Sequence, residues 1–210
     1  MKNRIGILVS AGLALCVWAA SSQGATTAGR EDLLPLGSPA PDFHLTDVVT
    51  GKAVSRDDFA GEKGLLVMFI CRHCPYVKHV QEELARMGRD YQGKGIGIVA
   101  ISANDPVGVP EDAPENLKEQ ARQLGFTFPY LFDETQQVAR AYTAVCTPDF
   151  FLFDGQRRLL YRGQMDDSRP GGKEPATGKD LRAAMEALLA GQPAPAEQKP
   201  SVGCSIKWKG

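Results

Sequence analysis

The chain has 210 residues, a formal net charge of −1, 43 % hydrophobic residues and 23 % charged residues. That balance is ordinary for a globular protein and is enough for one domain with its own core. It gives no reason to expect nucleic acid or an anionic membrane surface as a partner.

Residues 1–25 read as an export signal. Lys2 and Arg4 give a positive start, and Ile5 to Ala20 is an apolar run too short and wrongly flanked for a membrane span. Small residues between Ser22 and Ala25 offer a cleavage site. The alternative is an uncleaved anchor, and only then would a membrane be a partner. Leu15 is bulky, which argues against lipid attachment at Cys16. Of five cysteines, Cys16 leaves with the signal, so Cys71, Cys74, Cys146 and Cys204 remain. An even number in an exported, periplasmic chain fits oxidising chemistry or disulfides. They are too sparse to hold up a fold by themselves.

After a polar stretch, Phe43 to Thr46 and Lys52 to Val54 alternate in hydropathy on either side of Thr50-Gly51, which predicts a β-hairpin. "GLLVMFI" (Gly64 to Ile70) is a continuous apolar run, the pattern of a strand buried on both faces. Val77, Val80, Leu84, Met87 and Tyr91 then recur three or four apart, a helical stripe opening at Pro75. "GIGIVAISAN" (Gly95 to Asn104) predicts a second buried strand, and Asp105 to Pro114 a proline-rich loop. Glu115 to Leu124 predicts a helix stopped by Gly125, Phe128 to Asp133 a short strand, and Thr135 to Tyr142 a helix with Val138 and Ala141 inward. "DFFLFD" and "RLLYRG" predict an antiparallel hairpin turned at Gly155-Gln156. Lys179 to Ala190 predicts the last helix. One domain is expected over residues 36–191, followed by a proline-rich linker and a docking tail over 192–210. The order predicts an α/β, thioredoxin-like fold, with a central mixed sheet flanked by helices, an N-terminal hairpin and an extended C-terminal tail.

"ICRHCPYVKHV" carries the chemistry. A thiol–disulfide exchanger needs a thiolate near neutral pH and a second thiol within reach. Cys-x-x-Cys at a helix start supplies both, because unpaired N–H groups and the helix dipole favour S⁻. Cys71 is expected to be the exposed nucleophile and Cys74 the more buried resolving thiol. Arg72 and His73 add positive charge, which favours the thiolate form and a more oxidising disulfide. An inert structural disulfide at this place would staple nothing. A copper or zinc site using the same cysteines is a rival reading, but no second Cys-x-x-Cys or His pair accompanies it. Covalent haem is out, since Pro75 stands where a histidine is required. No cofactor and no metal are expected.

In "VCTPDFF", Pro148 enters a strand and fits a cis-proline loop facing the cysteines, with Thr147 and Pro148 holding a partner's backbone. Strand alternation turns Cys146 away from Thr147. Cys204, flanked by Val202, Ile206 and Trp208, is its candidate partner in a second disulfide, with two separate buried thiols as the alternative. His79 reads as a helix-surface residue and Asp166 to Arg169 as a solvated loop.

Together "GSPAPDFHLTD", "FICRHCPYV", "DETQQVARAY", "CTPDFFLFD", "YRGQMDDSRP" and "GCSIKW" resemble the peroxiredoxin-like branch of the thioredoxin superfamily, the redoxin or AhpC/TSA-like proteins, in particular those described as thiol–disulfide isomerases. The resemblance covers about Leu36 to Trp208. It implies a thioredoxin fold with an added hairpin, Cys71 and Cys74 as the redox pair, Pro148 as the cis-proline, and protein or small-molecule thiols and disulfides as partners. The peroxidase alternative lacks its peroxide-binding motif P-x-x-x-T-x-x-C, because Val67 and Met68 stand where the threonine is expected. Ile70 replaces the tryptophan that thioredoxins carry before the first cysteine.

Overall fold

The structure, a computed structural model, describes residues 33–210 and, before them, Met1 alone. The export signal read from the sequence lies outside the described residues. Among the described residues no helix is long and apolar enough to cross a membrane.

A hairpin of β1 (His44–Asp47) and β2 (Ala53–Ser55) opens the fold. Its turn is tied by Asp47, whose carboxylate accepts from the Val49 and Thr50 N–H groups and from the Thr50 hydroxyl. β3 (Gly64–Phe69) is followed by α1 (Pro75–Tyr91), β4 (Ile96–Ser102), α2 (Pro114–Leu124) and β5 (Tyr130–Phe132). Then come α3 (Gln137–Ala141), β6 (Cys146–Thr147), β7 (Asp149–Asp154), β8 (Leu159–Gly163), α4 (Lys179–Leu189) and β9 (Cys204–Ser205).

Seven strands form one mixed sheet in the order β2-β1-β5-β4-β3-β7-β8, and β6 pairs with β9 in a separate ribbon. β3, β4 and β5 run parallel, with β7 antiparallel to β3. The apolar run of β3 divides by alternation. Leu66 and Met68 join the core that contains α1, while Leu65, Val67 and Phe69 join the core on the other face. Burial on both faces is why this strand reads as a continuous run and not as an alternating one. α1 buries Val77, Val80, Leu84, Met87 and Tyr91 on that first core. Gly125 ends α2 at φ 64°, a left-handed conformation that suits glycine.

α3 is shorter than its periodicity predicts and is turned differently. Ala139 and Tyr142 face the core, while Ala141 is exposed and Val138 only half-buried. Two polar anchors set this rotation. Asp133 accepts from the Ala139 N–H at 2.8 Å, and the Gln136 side chain donates to the Ala103 carbonyl at 2.6 Å.

The tail after α4 is built into the fold as an extended strap. The Gln198 side chain donates to the Leu160 carbonyl, and Lys199 O accepts from the Gln164 N–H, both at 2.9 Å. The Ser201 hydroxyl bonds to Asp149 and to the Gly163 carbonyl. Ile206 is buried in the second core. Lys207 O accepts from Asp105 N–H and from Gln136, and Trp208 stacks under the Arg140 guanidinium at 4.3 Å. Val202 is 42 % exposed and lies at the rim of a small cavity beside Pro148.

Candidate active site

β3 ends one residue before Ile70, and its line leads straight into Cys71. α1 begins only at Pro75, so Cys74 occupies the N-cap position that precedes the helix. The sequence reading put Cys71 at the helix start; the structure puts Cys74 there. Asp112 Oδ1 accepts from both the Arg72 N–H at 2.8 Å and the His73 N–H at 3.0 Å. Those two donors are thereby engaged by the carboxylate, and α1 opens at Pro75 as its periodicity predicts.

Cys71 and Cys74 are both fully buried, at 0 % exposure, so Cys71 is not the exposed thiol expected from the sequence. The peptide between Thr147 and Pro148 is cis and faces both sulfurs. Thr147 Oγ1 lies 3.1 Å from Cys71 Sγ, and the Cys74 thiol is 3.1 Å from the Thr147 carbonyl oxygen. His73 Nδ1 is 3.5 Å from Cys71 Sγ and 2.6 Å from Asp112 Oδ2. Arg72 does not serve the sulfurs. Its guanidinium turns to α2, donating to the Asn116 carbonyl at 2.8 Å and to Glu119 at 2.9 Å.

The environment acts oppositely on the two thiols. The Cys74 pKa is lowered, first by the hydrogen bond from Cys71, then by the Cys204 thiol and by the Val77 and Cys204 N–H groups, against the cost of burial. The Cys71 pKa is raised by that same bond to Cys74, by burial, and by the Asp112 carboxylate, with Thr147 acting in the other direction. The surroundings thus push the two thiols apart, Cys74 downwards and Cys71 upwards.

Asp112 and Asn104 are site residues that the sequence reading passed over. Asp112 is fully buried, although it comes from the proline-rich loop, in a short 3-10 turn over Pro110–Asp112. Asn104 donates to Asp112 Oδ2 at 2.8 Å and accepts the Lys207 N–H at 2.8 Å, which joins the loop to the tail. The one legible signal was an isolated Asp among prolines, Asp112 in "VPEDAP".

All four cysteines expected to pair, Cys71 with Cys74 and Cys146 with Cys204, are free thiols in this structure. The β6–β9 register sets Cys204 opposite Thr147 and Cys146 opposite Ser205. Neighbours along a strand point to opposite faces, so Cys204 shares the face of Thr147 while Cys146 points the other way. The Cys146 thiol meets the Pro148 carbonyl at 3.6 Å, and burial pushes its pKa up to about 12.

Cys71 Sγ, His73 Nδ1 and an Asp112 oxygen lie within 4.8 Å of one another, the one such trio among the described residues. His73 and Asp112 are already bonded to each other at 2.6 Å, a hydrogen-bond separation and shorter than two ligands of one ion keep. The trio is a proton network and not a converging ligand set. His79, read as a helix-surface residue, bonds to Ser168 at 2.9 Å. The loop expected to be solvated is in part buried, with Asp166 3 % and Ser168 6 % exposed.

A strand running into Cys-x-x-Cys, a helix capped by the second cysteine and a Thr–cis-Pro turned onto both sulfurs define a thioredoxin-fold oxidoreductase. The thioredoxin domain of a thiol-disulfide oxidoreductase from Bacteroides vulgatus has the same fold, at TM-score 0.54 and 21 % identity, covering 71 % of this chain and 96 % of that one. The chain belongs to the AhpC/TSA family, whose sequence profile matches residues 36–162. It is similar to thiol-disulfide oxidoreductase ResA of Geobacillus thermodenitrificans, 28 % identical over 155 residues, covering 73 % of this chain and 78 % of that protein. The crystal structure of an uncharacterized conserved protein from Geobacillus kaustophilus is 56 % identical, with TM-score 0.81, covering 83 % of this chain and 93 % of that one. With these relatives the protein is an oxidoreductase of the thiol–disulfide class.

Proposed function

We propose that Cys71 and Cys74 are the redox pair, and that the protein is exported and exchanges electrons with the thiols and disulfides of partner proteins. The observation that carries this reading is the placement of both sulfurs before α1 against Thr147 and the cis Thr147–Pro148 peptide. In one direction a partner disulfide is reduced to two thiols. A mixed disulfide forms with the partner, and the second thiol of the pair then displaces the partner's sulfur. The Cys71–Cys74 bond forms, and its two electrons and two protons go to the partner. Run in reverse, the disulfide oxidises a partner dithiol. His73 Nδ1 carries the hydrogen donated to Asp112 Oδ2, which holds the ring 3.5 Å from Cys71 as a polar neighbour of the sulfur.

Export is supported by Lys2, Arg4 and the apolar run behind them. On that reading the mature protein is a redoxin domain over 36–191 with a tail over 192–210.

Equilibration with glutathione buffers, acid quenching and peptide mapping without reduction test the pair. The expected product of oxidation is a Cys71–Cys74 disulfide, with insulin reduction by dithiothreitol accelerated in the wild type and lost in Cys71→Ser and Cys74→Ser. A wild type that forms no Cys71–Cys74 bond, or single-serine variants that retain its rate, would refute the reading.

A further inference from the structure

Cys204 is the only cysteine among the described residues that is not buried; Cys71, Cys74 and Cys146 are. It packs against the core cluster that holds both site cysteines. Its register partner is Thr147, whose carbonyl lies 3.1 Å from the Cys74 thiol, so Cys204 stands on the Thr147 side of Cys74. Cys74 thus has a thiol on either side, Cys71 within the motif and Cys204 on the tail.

This placement is built in. Gly203 lies so close to the Thr147 carbonyl that a Cβ there would collide with backbone. On either side the tail is tied by Ser201 to Asp149 at 2.8 Å and by the Lys207 N–H to Asn104 at 2.8 Å. A cysteine held by a strand and two flanking anchors beside a fully buried Cys-x-x-Cys has a use in the chemistry of that pair. Both sulfurs of the pair are buried in this structure, whereas Cys204 is partly exposed.

We propose that Cys204 is a third redox thiol of this site, exchanging with the Cys71–Cys74 disulfide through a Cys74–Cys204 bond and linking the buried pair to thiols outside. The inference rests on the reading of Cys71 and Cys74 as the redox pair. In the step itself, the Cys204 thiolate attacks the Cys74 sulfur. The Cys74–Cys204 bond forms, the Cys71–Cys74 bond breaks, and Cys71 leaves as a thiolate that takes up the proton Cys204 gave. No electrons enter or leave, so no outside oxidant is needed. An external thiol then attacks the Cys204 sulfur and Cys74 leaves as thiolate, in the environment that already favours its charge. The reverse sequence oxidises the buried pair from outside. Burial and the neighbouring Cys74 raise the Cys204 pKa in the reduced protein. The part due to Cys74 disappears once Cys74 is in a disulfide, so Cys204 becomes more nucleophilic in the state that it is required to attack.

Two measurements test this on the full chain. Cys71→Ser, oxidised in the same glutathione buffers and mapped without reduction, is expected to yield a Cys74–Cys204 disulfide. Separate glutathione adducts on Cys74 and Cys204, or two free thiols, would overturn the proposal. Should Cys71→Ser not fold, Cys204→Ser gives an independent reading. Oxidation of its Cys71–Cys74 pair by glutathione disulfide is expected to be at least about tenfold slower than in the wild type, and an unchanged rate would overturn the proposal. Failure of the wild type to form Cys71–Cys74 at all would instead refute the underlying function.

Discussion

Asp112 grips His73 twice: Oδ1 accepts its backbone N–H at 3.0 Å, and Oδ2 lies 2.6 Å from its ring Nδ1. The grip spans 39 positions of sequence and brings a buried carboxylate beside Cys71. The carboxylate has two effects. It orients the imidazole beside Cys71, and its charge disfavours a second negative charge on Cys71.

Asp112→Asn removes the charge and keeps an oxygen that accepts the two backbone N–H bonds. In a Cys74→Ser background, the variant is expected to shift the alkylation profile of Cys71 to lower pH. Reaction with iodoacetamide near neutral pH should speed up by on the order of tenfold, the size of one pKa unit. An unmoved profile, or one displaced to higher pH, would mean that the Asp112 charge does not act on Cys71.

Thr147 acts in the opposite sense. Its hydroxyl lies 3.1 Å from Cys71 Sγ and lowers the Cys71 pKa, as a donor to the thiolate would. Thr147→Val keeps the β-branched shape and the β6–β9 pairing but removes that donor. The lost bond is worth about 1 kcal/mol or somewhat more to a charged acceptor. Alkylation of Cys71 at fixed pH should slow by roughly five- to tenfold, while the melting temperature moves little. Stopped-flow thiol titration checks it, and a variant as reactive as the wild type would remove Thr147 from the machinery.

Much of the fold was legible because its signals are local. The β3 run, the α1 stripe and the β7–β8 hairpin each declare a period over a few residues. The parts of the site that escaped depend on distant placement. Asp112 stands in a proline-rich loop that carries no period, and its role exists only once that loop folds back over Arg72 and His73. The pairing of Cys204 turned on register. A shift of one residue in a strand pair exchanges its faces, so Cys204 lies with Thr147 and Cys74 and not with Cys146. The helix itself opens at Pro75 as its period predicts, but the Arg72 and His73 N–H groups expected to serve Cys71 bond to a carboxylate from elsewhere.

Gly203 is a steric gate on the tail. A methyl group there meets the Thr147 carbonyl and the Pro148 nitrogen, both backbone atoms that cannot rotate away. Gly203→Ala is expected to lift β9 from β6. Overpacking of this kind costs roughly 1–3 kcal/mol, enough to expose Cys204 and the sulfurs beneath it. Limited proteolysis should cut the tail faster than in the wild type, and Cys74 should become accessible to a bulky maleimide. A tail equally resistant to protease, with Cys74 still shielded, would show that the strap is not held at this point.

Asp166 anchors the loop between β8 and α4. Burial alone would raise its pKa, but bonds from the Ser168 hydroxyl and from the Gly178, Thr177 and Ser168 N–H groups outweigh that and hold it below the ordinary carboxylate range. A folded pKa below the unfolded one sets the sign. The stability Asp166 contributes is fully present above the unfolded value of about 3.9. It is lost as the pH falls through the lower, folded value. Asp166→Asn removes the charge and keeps one acceptor, so at pH 7 it should cost about 1–3 kcal/mol. That difference should shrink steadily below about pH 4, as the wild type itself becomes protonated. Urea unfolding of both proteins from pH 7 to pH 3 measures it. A difference between the two that stays constant over that range would show that the carboxylate charge contributes nothing to holding the loop.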